Sequence, residues 1–430
     1  MTQRRSDPLD VAVTGMGVVT PGGDTLQSFW KTLCSGAPTA APLSFAADPD
    51  LPVRFGCAVR GFDAESIFGA KDTRRMDRVS QLAVAAGMAA IRDSGFSDTP
   101  GARGGIIVGT AIGGIGTHEN AIMNELHQSN VRRRNPLAIP MLMPNASAAQ
   151  LAIRTGWTGA NMTIVTACAS GANAIGEGMR LIRDRSADIV LAGGTEAPLT
   201  ALTVIGFHHL RALSTRNDDP AGASRPFDES RDGFVLAEGA AFVVLESSSH
   251  ARERGAKAWA YVSGYGCNND AADLVMPKSD GTGMEECLRL ALEDAGVSPH
   301  EVLFVNAHGT STVLNDRIEA QAIRRVFGAD CPPVTSVKGV MGHSLGAAGA
   351  VELVATCLSL TTRRVPPTAN YRRSEPQIDI DVVGREGVVC KSSRGVAVSN
   401  SFGFGGSNAC LAVTNGERCL EEYGGGEPDG

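Results

Sequence analysis

The sequence has no uninterrupted apolar stretch of the roughly 18 to 20 residues that a membrane span needs. It also has no surplus of positive charge, since 46 acidic residues outnumber 39 basic ones and the net charge is −7. We therefore expect no membrane span, and because phosphate binding needs a basic surface we expect no nucleic acid as partner. The ten cysteines include no C-x-x-C pair, and the start of the chain shows no cleavable leader pattern. A reducing, cytoplasmic location is therefore expected.

Motifs for cofactors and metals are also missing. There is no phosphate-binding G-K-[ST] and no H-E-x-x-H, and the histidine spacing gives no tetrahedral set, so we expect no metal. The segment 15–20 begins like a dinucleotide fingerprint but has Thr20 in place of its last glycine. The segment 342–346 matches the G-x-S-x-G nucleophile elbow of hydrolases. No histidine follows Ser344, however, and the hydrolase order of catalytic residues requires one.

Hydrophobic residues make up 43% of the chain and charged residues 20%, which is typical of a globular protein with a large core. Runs typical of strands and helices alternate along the chain, and the alternation starts again after about residue 254. This pattern predicts a layered α/β fold of two similar halves, at 1–255 and 256–415, followed by a disordered tail at 416–430. Predicted strands lie at 11–17, 105–109, 162–166, 189–192, 258–265, 302–306, 334–337, 395–399 and 409–413. Predicted helices lie at 78–94, 172–182, 283–295, 316–327 and 347–360, with a loop at 220–233.

Cys168 stands between a short β-branched stretch and a segment of small residues that begins a predicted helix. A thiol at such a turn lies at the positive end of the helix dipole, which favours the thiolate and lowers the thiol pKa. The pattern therefore indicates a nucleophile. A buried structural cysteine is the alternative.

Two histidines also follow predicted strands. His308 enters a loop with Thr310 and Thr312, whose hydroxyls can donate hydrogen bonds to a ligand, and a core histidine is the alternative. Lys338 and His343 lie in a glycine-rich turn, where the lysine can orient or charge a neighbour. The alternative for Lys338 is an exposed surface lysine.

The segment 400–408, N-S-F-G-F-G-G-S-N, is a fourth candidate. Its glycines let backbone N–H groups approach a reacting carbonyl, as an oxyanion hole requires. A glycine-rich turn between two strands is the alternative.

Together these segments resemble the elongating class of β-ketoacyl-acyl carrier protein synthases, which have the thiolase fold. The resemblance extends from residue 11 to about residue 414 and rests on six motifs in the same order. They are V-T-G-M-G at 13–17, T-A-C-A-S-G at 166–171, R-P-F-D at 225–228, H-G-T-S-T at 308–312, K-G-V-M-G-H at 338–343 and S-F-G-F-G-G at 401–406. It implies two similar α/β halves in α-β-α-β-α layers and a decarboxylative Claisen condensation of malonyl-acyl carrier protein.

The resemblance also implies a Cys-His-His site. Cys168 would take the growing acyl chain as a thioester, a role that suits a group that is both nucleophile and leaving group. His308 and His343 would hold the malonyl thioester carbonyl and assist the loss of carbon dioxide. Lys338 and Glu319 match supporting positions that orient the histidines.

Further positions match by the same resemblance. The backbone N–H groups of Cys168 and Phe404 match an oxyanion hole, and the Phe404 side chain matches a gate. Thr310 and Thr312 match contacts to the phosphopantetheine arm, and Ile112 matches the far end of the acyl pocket. No bound cofactor is implied, because the substrates are carried on that arm of the acyl carrier protein.

The carrier protein of this family is acidic, so docking on a net negative chain needs a local basic patch. An ordinary solvated run of charges is the alternative. The basic residues that resemble the family's docking cluster, or that extend it, are Lys71, Arg74, Arg75, Arg132, Arg133, Arg134 and Arg211.

Two branches of the family fit the sequence. We expect the ketosynthase subunit of a type II polyketide synthase, paired with a chain-length factor, because the composition is rich in Arg, Ala and Gly. The alternative is a homodimer that elongates fatty acids. Val313 stands where the family often has proline, which does not decide between them. A third possibility, a non-catalytic length-setting subunit, is disfavoured because the Cys, both His and the Lys are all present.

Overall fold

The structure, a computed structural model, describes residues 11–43, 50–127, 135–390, 392 and 395–418. The predicted docking residues Arg132, Arg133 and Arg134 lie outside the described residues. Fourteen strands occur in the described part of the chain. They are β1 (Val11–Val19), β2 (Ala41–Pro42), β3 (Phe55–Gly56), β4 (Gly104–Gly109), β5 (Asn161–Ile164), β6 (Ile189–Glu196), β7 (Gly239–Ser247), β8 (Ala260–Asn269), β9 (Val302–Asn306), β10 (Val334–Thr335), β11 (Arg364–Val365), β12 (Val388–Val389), β13 (Val396–Phe402) and β14 (Ser407–Asn415).

The described residues also form fourteen α-helices, several of them a single turn. They are α1 (Leu26–Ser35), α2 (Ala64–Phe68), α3 (Ala70–Thr73), α4 (Arg78–Ser94), α5 (Ile115–His127), α6 (Ala138–Leu142), α7 (Ala146–Thr155), α8 (Ser170–Arg183), α9 (Ala201–His209), α10 (Ser248–Glu253), α11 (Thr282–Asp294), α12 (Val313–Phe327), α13 (Lys338–Met341) and α14 (Ala348–Thr362).

Ten strands form one sheet in the order β10-β9-β13-β14-β8-β1-β7-β6-β4-β5. The antiparallel pair β1 and β8 joins two groups of five strands at the middle of this sheet. In the first group β4 runs parallel to β5 and β6, while β7 is antiparallel to β6 and β1. In the second group β9 runs parallel to β10 and β13, while β14 is antiparallel to β13 and β8. The same topology therefore occurs twice, which confirms the predicted fold of two similar α/β halves.

Helices cover the outer faces of the sheet and also lie between its halves. α4 and α7 pack on the first half, against β4 and its neighbours. α11 and α12 pack on the second half, with α11 against β8 and β14. α8 and α14 contact each other and strands of both halves, so they form the central layer. This gives the predicted α-β-α-β-α order of layers.

The central layer contains the most apolar of the predicted helices, at 347–360. The helical segment Leu345–Thr362 is long and apolar enough to cross a membrane by length and composition, but 89% of it is buried inside the protein. It is a core helix, because α8 and strands of both halves surround it. Glu352, the one charge within it, is buried as well.

Local sequence explains where several elements begin and end. α4 has the bounds that its spacing predicts, with Asp77 as N-cap and Gly95 as a left-handed C-cap. β10 is shorter than the predicted strand 334–337, because the chain turns into α13 at Lys338. β7 was not predicted; it is a long apolar run buried on both faces, which has no alternation to reveal it.

The predicted tail begins at residue 416. Its first three residues bond to the body of the protein: Gly416 donates to the Trp259 carbonyl at 3.2 Å, and the Arg418 guanidinium lies 4.6 Å from the Trp259 ring centroid. Residues 419–430 lie outside the described residues. The predicted boundary of the two halves near 255 falls between β7 and β8 and stays a prediction.

Candidate active site

Cys168 lies in a tight turn between β5 and α8. The residue before it, Ala167, has a φ of +50°, a left-handed backbone conformation that residues other than glycine rarely adopt. Ser170 holds the turn, because its Oγ accepts the N–H of Thr166 at 2.9 Å and donates to the Ala167 carbonyl at 2.6 Å. The thiol therefore stands at the N-terminus of α8, as the sequence predicts, and the residue is only 7% exposed.

His343 lies within hydrogen-bond distance of this thiol. Its Nε2 lies 3.1 Å from the Cys168 Sγ. The backbone holds it there, since its N–H donates to Val235 O at 2.7 Å and its carbonyl accepts from Ala237 N at 3.0 Å. The ring of Phe234 packs edge-on against the imidazole, with centroids 5.2 Å apart. A residue 175 positions away in sequence is thus fixed at the sulphur.

His308 faces the same space from the other side. Its ring centroid is 5.3 Å from that of His343, and the two planes are nearly perpendicular at 85°. The carboxylate of Glu319 accepts the backbone N–H groups of His308 at 2.7 Å and of Gly309 at 2.8 Å. Glu319 therefore fixes the main chain that carries His308. The imidazole ring of His308 is contacted by Lys338.

Lys338 determines which nitrogen of His308 carries the proton. Its Nζ lies 3.3 Å from His308 Nδ1 and forms an ion pair with Glu352 Oε1, and both charged residues are at most 2% exposed. A lysine ammonium has protons to donate and no lone pair, so Nδ1 must accept. The ring proton of neutral His308 is therefore on Nε2.

Burial dominates the acid–base properties of the site. It raises the pKa of the Cys168 thiol to about 12, although the Lys338 charge and the Phe404 N–H act to lower it. It lowers the pKa of His308 and His343 well below 6.5, and the Lys338 charge adds to this. The resting site is a neutral thiol beside two neutral imidazoles. The prediction that the helix N-terminus lowers the thiol pKa is wrong, because desolvation of the thiolate charge outweighs the favourable position at the helix.

The glycine-rich segment brings a backbone N–H to the sulphur. Phe404 follows β13 and hydrogen-bonds the Cys168 thiol through its main-chain N–H. A Cβ on Gly403 would lie 2.9 Å from Thr166 O and 3.0 Å from Cys168 N, so only glycine allows this approach. The half-buried Phe404 ring packs near Phe207, with centroids 6.3 Å apart. The segment is a turn between two strands, and it also places an N–H donor at the reacting atom.

Thr310 and Thr312 follow His308 in one loop. Their hydroxyl oxygens are 2.9 Å apart. Ser311 between them has a φ of +71°, and its N–H donates to both carboxylate oxygens of buried Asp316, at 3.2 and 3.1 Å. Asp316 therefore holds the loop in this conformation.

Ile112 packs in the same apolar cluster as Cys168 and Phe404. Its N–H donates to Glu196 Oε1 at 3.2 Å. The structure thus brings the predicted acyl-pocket residue to the neighbourhood of the predicted nucleophile.

One sulphur and two ring nitrogens of the site are atoms of the kind that bind zinc. Cys168 Sγ and ring nitrogens of His308 and His343 lie within 4.8 Å of one another. A structural zinc ion needs four ligands, and a ligating histidine usually donates its second nitrogen to a carboxylate or carbonyl. Here Lys338 faces that nitrogen of His308, and His343 Nδ1 has no hydrogen-bond partner among the described residues. These surroundings do not fit a metal ion.

The predicted docking cations lie on the surface rather than in this site. Lys71 is in α3, Arg74 and Arg75 follow it, and Arg211 follows α9; all four are exposed. Arg154 is also nearby and pairs with Asp72 at 3.3 Å.

Sequence reasoning missed several buried carboxyl groups, among them Asp316, which holds the loop of Thr310 and Thr312. Glu352 pairs with Lys338, and a lone charge inside the apolar helix 347–360 was the available sign of it. Glu196 ends β6 and accepts hydrogen bonds from two separate loops. A single acidic residue at the end of an apolar strand was the corresponding sign.

Comparison with known proteins identifies the family. Residues 9–251 match the family "Beta-ketoacyl synthase, N-terminal domain", and residues 259–372 match "Beta-ketoacyl synthase, C-terminal domain". A 3-oxoacyl-[acyl-carrier-protein] synthase 2 from Synechocystis is 41% identical over 94% of this chain and 97% of its own.

Two solved structures share the fold. One is the ishigamide ketosynthase/chain length factor, with a TM-score of 0.88 and 32% identity over 94% of this chain and 98% of that chain. The other is a type II PKS acyl-carrier protein in complex with its ketosynthase bound to the hexaketide. It has a TM-score of 0.86 and 32% identity over 95% of this chain and all of that chain. The fold is therefore that of the thiolase-like ketosynthases, and the chain belongs to the β-ketoacyl synthase family of acyltransferases.

Proposed function

We propose that this enzyme condenses malonyl-acyl carrier protein with an acyl chain held as a thioester on Cys168, with loss of carbon dioxide. One observation carries the proposal: the Cys168 sulphur and the rings of His308 and His343 meet within 4.8 Å in a buried site. Acyl transfer needs a nucleophile that also leaves well, and a thiol is the side chain that meets both demands.

In the first half-reaction Cys168 attacks the thioester of the acyl carrier protein. The thiol proton passes to His343 Nε2, 3.1 Å away, as the S–C bond forms. The oxyanion is held by the N–H groups of Cys168 and Phe404. The departing phosphopantetheine sulphur takes the proton from His343, so the imidazole returns to its neutral form.

In the second half-reaction the malonyl thioester carbonyl lies between the two imidazoles. Loss of carbon dioxide leaves an enolate. Its oxygen is stabilised by the Nε2–H of His308 and, after the ring proton of His343 has moved from Nδ1 to Nε2 by exchange with solvent, by the Nε2–H of His343. The enolate carbon attacks the acyl thioester on Cys168, which forms the β-ketoacyl thioester on the carrier protein and expels the Cys168 thiolate. The thiolate takes one proton from solvent, and this proton balances the negative charge of the malonyl carboxylate that is lost as carbon dioxide. Lys338 and Glu319 support this step by fixing the proton position and the main chain of His308.

Intact-mass analysis tests the proposal. Acyl-carrier protein bearing an acyl chain should add one acyl group to the wild-type chain and none to Cys168→Ala. Cys357→Ala is the matched control, because this thiol is also fully buried and burial also raises its pKa to about 12. An adduct that survives in Cys168→Ala, or condensation by that variant, overturns the proposal.

We propose the acyl carrier protein as the docking partner, at the exposed basic residues Lys71, Arg74, Arg75 and Arg211. Exposure of all four supports this, as do Thr310 and Thr312, which we assign to the phosphopantetheine arm. Charge reversal at Arg74 and Arg75 should raise KM for carrier-bound substrate without lowering kcat at saturation. An unchanged and salt-insensitive KM contradicts this docking surface.

For the pathway we propose the ketosynthase subunit of a type II polyketide synthase, paired with a chain-length factor. The likeness to the ishigamide ketosynthase/chain length factor supports it. The alternative, an elongating homodimer of fatty-acid synthesis, is supported by the 41% identical synthase. Purification with and without the neighbouring gene product, followed by size-exclusion and product mass, separates them. Activity as a homodimer with saturated products would overturn the polyketide assignment. In either pathway we propose a cytoplasmic enzyme without a bound cofactor or metal.

A further inference from the structure

Glu196 is a buried carboxyl group that the proposed reaction does not use. Its side chain is completely buried at the end of β6. Oε2 accepts the N–H of Ala111 at 2.6 Å and of Gly346 at 3.1 Å. Oε1 accepts the N–H of Ile112 at 3.2 Å and the hydroxyl of Thr110 at 3.1 Å. One carboxylate thus holds four donors from two loops.

The two loops border the site from different sides. One carries Ile112, which packs in the same apolar cluster as Cys168. The other follows His343 directly, and Gly346 lies so close that a Cβ there would be 2.3 Å from Ala111 N and 2.6 Å from Glu196 Oε2. No space remains between the loops, so a change at the carboxylate must move one of them.

We propose that Glu196 is a specificity-determining positioning residue, which sets the length of acyl chain accepted on Cys168 by fixing Ile112 against the loop of His343. The inference rests on the proposed condensation, because it assumes that the acyl chain extends from the sulphur into this apolar cluster. Glu196 affects chain length through Ile112 and does not touch the reacting atoms. In addition to burial, its charge raises the pKa of the Cys168 thiol, an effect that is the same for every chain length and leaves the ratio unchanged.

Glu196→Gln tests this with little change of volume. Its amide oxygen can keep the bonds to Ala111 and Gly346, while its NH₂ group then faces the N–H of Ile112. A buried N–H without an acceptor is costly, so the Ile112 backbone should shift away. The acylation rate of a long saturated chain relative to a short one should rise about fivefold or more at pH 8. Intact-mass analysis of Cys168 measures both rates.

Two further variants separate this role from lost stability. Glu246→Gln removes another completely buried carboxylate, whose partners Arg254, Thr14 and His250 lie outside the apolar cluster of Cys168 and Ile112, and should lower Tm without changing the chain-length ratio. Ile112→Ala should shift the ratio by itself, and Glu196→Gln added to it should shift the ratio no further. An unchanged ratio in Glu196→Gln, or additive shifts in the double variant, overturns the inference. Absence of any acyl adduct on the wild type instead refutes the proposed function.

Discussion

The Nζ atom of Lys338 lies 3.3 Å from Nδ1 of His308, in a place where both side chains are almost completely buried. The ammonium charge is balanced by Glu352, which comes from the central helix α14. A core helix therefore supplies the carboxyl group that pairs with the lysine beside His308, and this links the stability of the core to the chemistry of the site.

Lys338→Met should destabilise the fold by about 3–5 kcal/mol, because it leaves the Glu352 carboxyl buried without its partner. Burial raises the pKa of Glu352 to about 7, and loss of the lysine charge raises this pKa further. Up to about pH 7 the wild type and the variant both hold a proton on Glu352 that the unfolded chain releases near pH 4.5, so the loss of stability relative to the wild type should grow as the pH rises above about 7. Urea unfolding at several pH values measures this.

The double variant Lys338→Met with Glu352→Gln should recover most of that stability but not the rate of malonyl decarboxylation, because Nδ1 of His308 still lacks its donor. Recovery of both, or of neither, contradicts the assigned role of the lysine.

The two histidines should differ in the first half-reaction. His343→Ala removes the base at the sulphur, so both acylation of Cys168 and decarboxylation should fall, each by about 10²-fold or more. His308→Ala should lower decarboxylation similarly and leave acylation within about threefold, since the hydrogen bond to the sulphur comes from His343 Nε2. Intact-mass acylation and carbon dioxide release measure the two steps separately. Equal loss of acylation in both variants would refute this division.

Alkylation of Cys168 should depend steeply on pH. With a pKa of about 12 the thiolate fraction, and hence the iodoacetamide rate, should rise about tenfold per pH unit between pH 7 and 10. Lys338→Met should slow it at every pH, because the lysine charge lowers this pKa. Cys168→Ala gives the background from other thiols. A rate that is already constant above pH 7.5 would instead support the low pKa that the helix position suggests.

Gly403→Ala should impair acylation about tenfold or more, because its Cβ would press on Thr166 O and Cys168 N and displace the Phe404 N–H. Gly384→Ala is the control, since a Cβ there meets nothing within 4 Å and the residue does not have a positive φ. Rates of adduct formation and Tm of both variants provide the measurement. Wild-type acylation in Gly403→Ala would show that the N–H of Phe404 is not needed.

Most of the elements around the site could be predicted, because each is marked by local spacing. The strand β9 and the helix α4 have the predicted bounds. The pairing of Lys338 with Glu352 could not be predicted, since the two are 14 residues apart and meet only when α13 and α14 pack. The sequence predicted a lowered pKa for the Cys168 thiol, whereas burial raises it, for a related reason. The helix dipole follows from a local turn, but the desolvation of the thiol depends on all the residues packed around it.

The sequence by itself determined the alternation of strands and helices and the family motifs, and it predicted three reactive side chains, because these depend on neighbouring residues and on their order. Only the tertiary structure decided that His343 meets the Cys168 sulphur, that Lys338 fixes the proton of His308 and that Glu196 joins two loops. Distances between residues far apart in the chain, and the dielectric around them, follow from packing, which a linear pattern does not contain.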